Sequence, residues 1–207
     1  FFDILFSFLG ILFLFPVFLF LYIAIRLESK GGGFYKQLRV GRNGKDFYVY
    51  KFRSMRIGSD RQGLITVGGR DPRITRIGYF IRKYKLDELP QLFNVLKGDM
   101  TFVGPRPEMM KNVEEYTEEL PEFEYRLRVK AGVTGYAQIA GKYNTTPKDK
   151  LIMDMMYIEQ FSILRDIQLI FQTAIVLLKS DSTEAFDEST RQHPYKFIPA
   201  EQEEETC

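Results

Sequence analysis

The 207-residue chain is 45% hydrophobic and carries 29 Lys or Arg against 27 Asp or Glu, which suits one domain with appendages. Its single Cys, Cys207, excludes an intrachain disulfide, and its single His, His193 in a polar tail, argues against a Ser-His-Asp triad or a His-based metal site. The charge is unevenly spread: residues 26–90 hold sixteen Lys or Arg against six Asp or Glu, whereas residues 108–124 hold seven Glu against Lys111.

Residues 4–25, ILFSFLGILFLFPVFLFLYIAI, carry no charge and are long enough to cross a bilayer as a helix. They lack the basic start and small-residue cleavage site of a signal peptide. Pro16 at the midpoint deletes a backbone hydrogen bond, so a kinked spanning helix and a re-entrant helix–break–helix both fit. Asp3 separates the two: a carboxylate in the far leaflet is costly, whereas re-entry returns it to the near interface. The basic residues from Arg26 to Arg53 make the following side cytoplasmic. A basic block directly after an apolar segment reads as contact with lipid headgroups or phosphorylated ligands. Nucleic acid is the weaker expectation and is left out of the partners, because no zinc-finger or RNA-binding signature accompanies the block.

Gly31-Gly32-Gly33 is a flexible exit from the apolar segment. Beyond it, Asn43-Gly44 predicts a two-residue turn joining strands at 35–40 and 47–52. Lys51 and Arg53 then share one strand face and could both meet phosphate. Residues 56–70 read as a polar, Gly-rich loop. From 74 to 84, apolar residues alternate with Arg76, Arg82 and Lys83, as in a helix lying at a lipid interface or an ordinary surface helix.

The stretch 79–107, YFIRKYKLDELPQLFNVLKGDMTFVGPRP, organises the rest. Leu89, Leu92, Phe93 and Leu96 fall at helical spacing and predict the packed face of a helix. Pro90 suits only a helix's first turn, which puts Asp87 at or near the N-cap, where anions including phosphate are favoured. Glu88 follows directly, with Arg82, Lys83 and Lys85 just upstream. Pro105 and Pro107 present Arg106 on a stiff, extended loop.

Residues 108–128 read as an acidic, solvated helix broken near Pro121. A helix at 148–161 carries Asp154, Tyr157 and Glu159. Residues 166–179 are apolar but too short to span, so they form core or a second interfacial helix. The acidic residues 180–207 show no packing pattern and predict a disordered tail.

Three runs match one family without gaps: Leu86-Asp87-Glu88-Leu89-Pro90-Gln91-Leu92, Asn94-Val95-Leu96-Lys97-Gly98-Asp99-Met100, and Val103-Gly104-Pro105-Arg106-Pro107-Glu108. With Arg39 to Gly44, Tyr50 to Met55, Asp71 to Gly78, and Gly132, Thr134, Gly135, Gln138 and Gly141, they give a chain that resembles the bacterial sugar transferases. These are monotopic phosphoglycosyl transferases that move a phosphosugar from a nucleotide sugar to a polyprenol phosphate. Phe15 replaces a common Ser before Pro16, Ala131 a common Pro and Lys142 a common Arg.

The resemblance implies an α+β fold: a small cytosolic domain with a β-hairpin and several amphipathic helices, on a membrane-inserted, re-entrant N-terminal helix. It divides the chain into a membrane segment over 1–25, a catalytic domain over 26–179 and the tail over 180–207. The implied reaction takes a UDP-sugar and undecaprenyl phosphate, with Mg²⁺, to undecaprenyl-diphosphate-sugar and UMP at the cytoplasmic face of the bacterial inner membrane. Asp87 is the implied nucleophile, Glu88 its support, and both are implied metal ligands. Arg82, Arg106, Pro105, Pro107, Lys51, Arg53 and Gln138 are the implied substrate-binding residues, and a homo-oligomer stays open. A membrane-anchored scaffold and a nucleotide-sugar hydrolase are the competing readings; the scaffold leaves Asp87-Glu88 beside Arg106 unexplained.

Overall fold

The computed structural model describes residues 2–59, 71–141 and 145–178. The tail expected over 180–207, most of the 56–70 loop and Lys142 lie outside the described residues.

Helix α1 (Phe2–Glu28) is a 27-residue helix with Pro16 inside it. At 1.5 Å per residue it is about 40 Å long. Pro16, where a break is expected over 1–25, falls inside this helix, which runs on to Glu28; its ring takes one N–H out of the helical ladder. Phe18, Leu21 and Ile25, spaced three and four apart, make one buried face with Phe52 and Ile81. The opposite side is open, with Phe13 84% and Phe20 69% exposed. Among the described residues, α1 is the one helix long and apolar enough to cross a membrane.

Both ends of α1 are fastened to the same domain. Asp3 Oδ2 accepts from Thr101 Oγ1 at 2.8 Å. At the other end, Glu28 accepts the Arg76 and Ile77 amides at 2.6 and 2.9 Å.

Strands β1 (Phe34–Val40) and β2 (Asp46–Phe52) pair antiparallel from Phe34↔Phe52 to Val40↔Asp46. Their connection is longer than the two-residue turn the Asn-Gly pair suggests. It spans residues 41–45, with Asn43 and Gly44 at φ 58° and 71° and Gly41 N donating to Lys45 O at 2.9 Å. The Asn-Gly pair still supplies the left-handed residues, but inside a wider loop.

Helix α2 (Arg76–Lys83) is capped by Thr75, whose Oγ1 accepts from Gly78 N at 2.9 Å. With Glu28 on the Arg76 and Ile77 amides and Ser54 O on the Thr75 amide at 3.1 Å, all four N–H groups a helix start leaves unpaired are met. Lys85 then adopts a left-handed φ of 53° and turns the chain into a 3₁₀ turn, Leu86–Glu88, ahead of α3 (Gln91–Lys97). Gly98, at φ 84°, ends α3 and leads into β3 (Met100–Val103).

The packing of α3 differs from the periodicity in an informative way. Gln91, Asn94 and Val95 are its buried residues, while Leu92, Phe93 and Leu96 are half-buried. Leu92 and Phe93 face α1 and its cluster. Asn94 is fully buried because it pairs with the free edge of β2: its Nδ2 donates to Tyr48 O at 2.7 Å and its Oδ1 accepts from Tyr50 N at 3.0 Å. A side-chain amide here substitutes for a neighbouring strand.

Helix α4 (Met110–Glu119) stops short of Pro121, and a 3₁₀ segment, Pro121–Arg128, leads to β4 (Ala131–Thr134), which pairs parallel with β3. Helices α5 (Tyr136–Ala140), α6 (Pro147–Glu159) and α7 (Ile163–Leu178) follow. Leu169 of α7 and Tyr157 of α6 bury against Val103. Leu164 and Phe171 of α7 stay 80% and 68% exposed. The fold is α+β, with small sheets and several helices, and α1 belongs to its core.

Candidate active site

Asp87 and Glu88 are neighbours in the 3₁₀ turn, so their side chains diverge by about 120°. Asp87 lines a cleft of about 470 Å³ with Lys51, Arg53, Arg56 and Arg82. Glu88 turns to the other side, where its Oε1 accepts from Lys51 Nζ at 2.8 Å and from Arg106 Nη2 at 2.6 Å. No hydrogen bond to the Asp87 carboxylate occurs among the described residues. Asp87 is not the N-cap of α3: Pro90 holds that position, and Asp87 lies one turn earlier.

The electrostatics separate the pair. Burial is the main cause that pushes the Asp87 carboxyl up to about 6, partly offset by Lys51 and reinforced by the Glu88 charge. Burial also acts on Glu88, but Arg106 and then Lys51 outweigh it and hold that carboxyl well below its usual range. Glu88 is thus a fixed anion with two cationic partners. Asp87 is an open carboxylate of raised basicity facing a cationic cleft.

Arg106 reaches Glu88 from a loop whose carbonyls are all pinned. Pro105 O accepts from Gly132 N at 2.9 Å, Arg106 O from Arg126 Nη2 at 2.8 Å, and Pro107 O from Arg39 Nη1 at 3.1 Å. Glu108 O accepts from Val40 N at 2.9 Å. Gly132 makes the first of these contacts, and a Cβ there would lie 2.1 Å from Gly104 N. The Arg106 side chain stays 43% exposed, so its remaining N–H groups are open to a ligand.

The predicted site residues do not all meet. Lys51, Arg82, Asp87 and Arg53 converge on the cleft. Arg106 joins through Glu88, while Pro105 and Pro107 serve as its frame. Arg53 spends both Nη atoms on the residues just past α1, donating to Lys30 O at 2.9 Å and to Ser29 O and Oγ at 2.8 Å. In the structure it holds the chain just past the C-terminal end of α1, where a cation is favoured. Gln138 does not line the cleft, and its buried amide atoms have no hydrogen-bond partner among the described residues. Sequence reasoning missed Arg126, Asn94 and Glu28. Thr75 was findable, since a Thr before a short amphipathic run is a cap signal.

Among the described residues, no group of three or more His, Cys, Asp or Glu could cage a metal ion. The donors do fit Mg²⁺ as an ion shared with substrate. Mg²⁺ commonly takes one or two carboxylates plus phosphate oxygens; Asp87 offers hard oxygens free of hydrogen bonds among the described residues, whereas both Glu88 oxygens are already held by Arg106 and Lys51.

The bacterial sugar transferase family profile matches residues 1–180, and the chain belongs to that family. It is 41% identical to a UDP-N-acetylgalactosamine-undecaprenyl-phosphate N-acetylgalactosaminephosphotransferase of Aeromonas hydrophila, over 85% of this chain and 42% of that protein. It is 40% identical to a UDP-glucose:undecaprenyl-phosphate glucose-1-phosphate transferase of Xanthomonas campestris pv. campestris, over 80% of this chain and 35% of that one. It is 37% identical to an undecaprenyl-phosphate galactose phosphotransferase of Salmonella typhimurium, over 87% and 40%. The chain therefore spans roughly two fifths of the length of these relatives, and their names carry three different sugars.

Proposed function

We propose that this chain transfers a sugar-1-phosphate from a UDP-sugar to undecaprenyl phosphate, at the cytoplasmic face of a bacterial inner membrane. The observation that carries the reading is the split of the carboxylate pair. Asp87 stands open in a cationic cleft, while Glu88 is locked between Lys51 and Arg106.

An Asp87 oxygen attacks the phosphorus next to the sugar. The bond from that phosphorus to the bridging oxygen breaks, UMP leaves with the electron pair, and an aspartyl-phosphosugar forms. A phosphate oxygen of undecaprenyl phosphate then attacks the same phosphorus and returns Asp87 as carboxylate. Lys51 and Arg82 hold the diphosphate against Asp87 in the cleft, and Arg106 offers its open donors to the phosphosugar oxygens. Asp87 would hold Mg²⁺, which supplies charge neutralisation on the diphosphate when bound, while Glu88 stays paired with Lys51 and Arg106. Both ends of α1 meet the domain that carries Asp87, which supports an anchor whose two ends lie on the same face of the bilayer. The site then lies next to the phase that holds the polyprenol.

The test is UMP release by the chain in nanodiscs, with Mg²⁺ and UDP-glucose, UDP-galactose or UDP-N-acetylgalactosamine. With the accepted donor and no undecaprenyl phosphate, about one UMP per site is expected, with a mass gain equal to one phosphosugar that is lost when undecaprenyl phosphate is added. Asp87→Asn should abolish both. Continuous UMP release without acceptor would mean hydrolysis, and no release until acceptor is added would mean direct transfer.

A further inference from the structure

We propose that Arg126 and Asp154 form a positioning pair that sets the Arg106 guanidinium through the Arg106 backbone carbonyl. This rests on the reading of Arg106 as a substrate-phosphate ligand.

Arg126 comes from the 3₁₀ segment before β4 and Asp154 from α6, and they are 2% and 1% exposed. Arg126 Nε donates to Asp154 Oδ2 at 2.8 Å, and Nη2 lies 2.8 Å from the same oxygen. The guanidinium also sits over the Phe123 ring, 4.8 Å from its centroid. Its position is thus set by an anion and a ring, both in the core. From there Nη2 donates to Arg106 O at 2.8 Å.

That carbonyl is the informative one. Pro105 and Pro107 have fixed φ, and a residue before proline is already restricted to extended ψ. Between the prolines, φ of Arg106 is the angle left open, and the bond from Arg126 to the Arg106 carbonyl holds it. The same angle aims the Arg106 side chain at Glu88 and at the space beside the cleft.

Stability alone does not account for the pair. A buried ion pair loses about as much in desolvation as it returns, and apolar residues of similar volume often serve as well. A charge carried into the core to reach one loop carbonyl is accounted for by placement of that loop.

The experiment replaces the pair by apolar residues, Arg126→Met with Asp154→Leu, in the nanodisc-embedded chain, and follows UMP release from the accepted UDP-sugar. A cooperative thermal transition close to that of the native chain is expected, with kcat/KM lowered ten- to a hundred-fold. In an Arg106→Ala background the same replacement should change kcat/KM less than twofold, because the residue it positions is gone. Arg126→Lys is the second variant. It keeps the charge on Asp154 but loses the fixed fork, and its loss of activity should likewise vanish in the Arg106→Ala background. Native turnover in either folded variant overturns the proposal, as does a loss that multiplies with that of Arg106→Ala. If Arg106→Ala itself turns over normally, the assignment of Arg106 to substrate has failed, and the proposal with it.

Discussion

Glu88 Oε1 lies 2.6 Å from Arg106 Nη2, so the second carboxylate of the pair is neutralised by the protein itself. That contact, with Lys51 on the same oxygen, leaves Asp87 as the carboxylate available for chemistry.

Activity should have an acidic limb set by Asp87. Its carboxyl is pushed up to about 6, so the reactive carboxylate is present above that pH and disappears below it. The kcat/KM for UMP release should fall with unit slope as pH drops through about 6. Glu88→Gln removes a like charge and frees Arg106 and Lys51 to act on Asp87. Both changes favour the anion, so the limb should move to lower pH even as the maximum rate falls. A limb that stays in place would remove Glu88 from the electrostatics of Asp87.

The same shift predicts a stability cost at the site. Asp87 binds its proton more tightly in the folded chain than in the unfolded one, so raising the pH from about 4 to 6 weakens folding, and the penalty is complete above 6. Asp87→Asn does not carry that penalty. It should raise Tm at pH 7.5 while abolishing turnover, and a lowered Tm would show that the carboxylate is compensated in a way its surroundings do not indicate.

Arg106→Lys should fold normally and lose kcat/KM. It keeps the charge but not the fork on Glu88, a difference of about 1.5–3 kcal/mol for a charge-assisted hydrogen bond. Steady-state kinetics giving native values would reduce the Pro105-Arg106-Pro107 loop to a structural element.

Arg53 separates anchor from ligand. If its work is to hold the Ser29 and Lys30 carbonyls, Arg53→Gln should lower Tm with little change in KM for the UDP-sugar. The loss of a bond from a charged donor is about 1.5–3 kcal/mol. A raised KM at unchanged Tm would return Arg53 to phosphate binding.

Membrane topology can be read by thiol labelling. Single cysteines at Phe2 and at Lys30, in a Cys207→Ser background, should both resist an impermeant reagent applied to intact cells. Selective labelling near Phe2 would place that end across the membrane, against the Asp3 to Thr101 contact.

Much of the site was legible because its signals are local. A charge-free run, an Asn-Gly turn, a carboxylate pair before a proline and an arginine between two prolines each report on a few consecutive residues, and the family resemblance attached roles to them. What stayed hidden depends on elements far apart in the chain. Lys51 meets Glu88 across 37 positions and Arg126 meets Asp154 across 28, and no periodicity marks either pair. Asn94 reads as the polar side of a helix and is buried because an unpaired strand edge lies against it. Pro16 reads as a break, yet α1 continues through it, packed over its inner face on Phe52 and Ile81. By itself the sequence determined the chemical types at the site and the local elements that carry them. Only the tertiary structure decided that Glu88 would be neutralised and Asp87 left open, because burial and charge pairing are properties of what packing brings together.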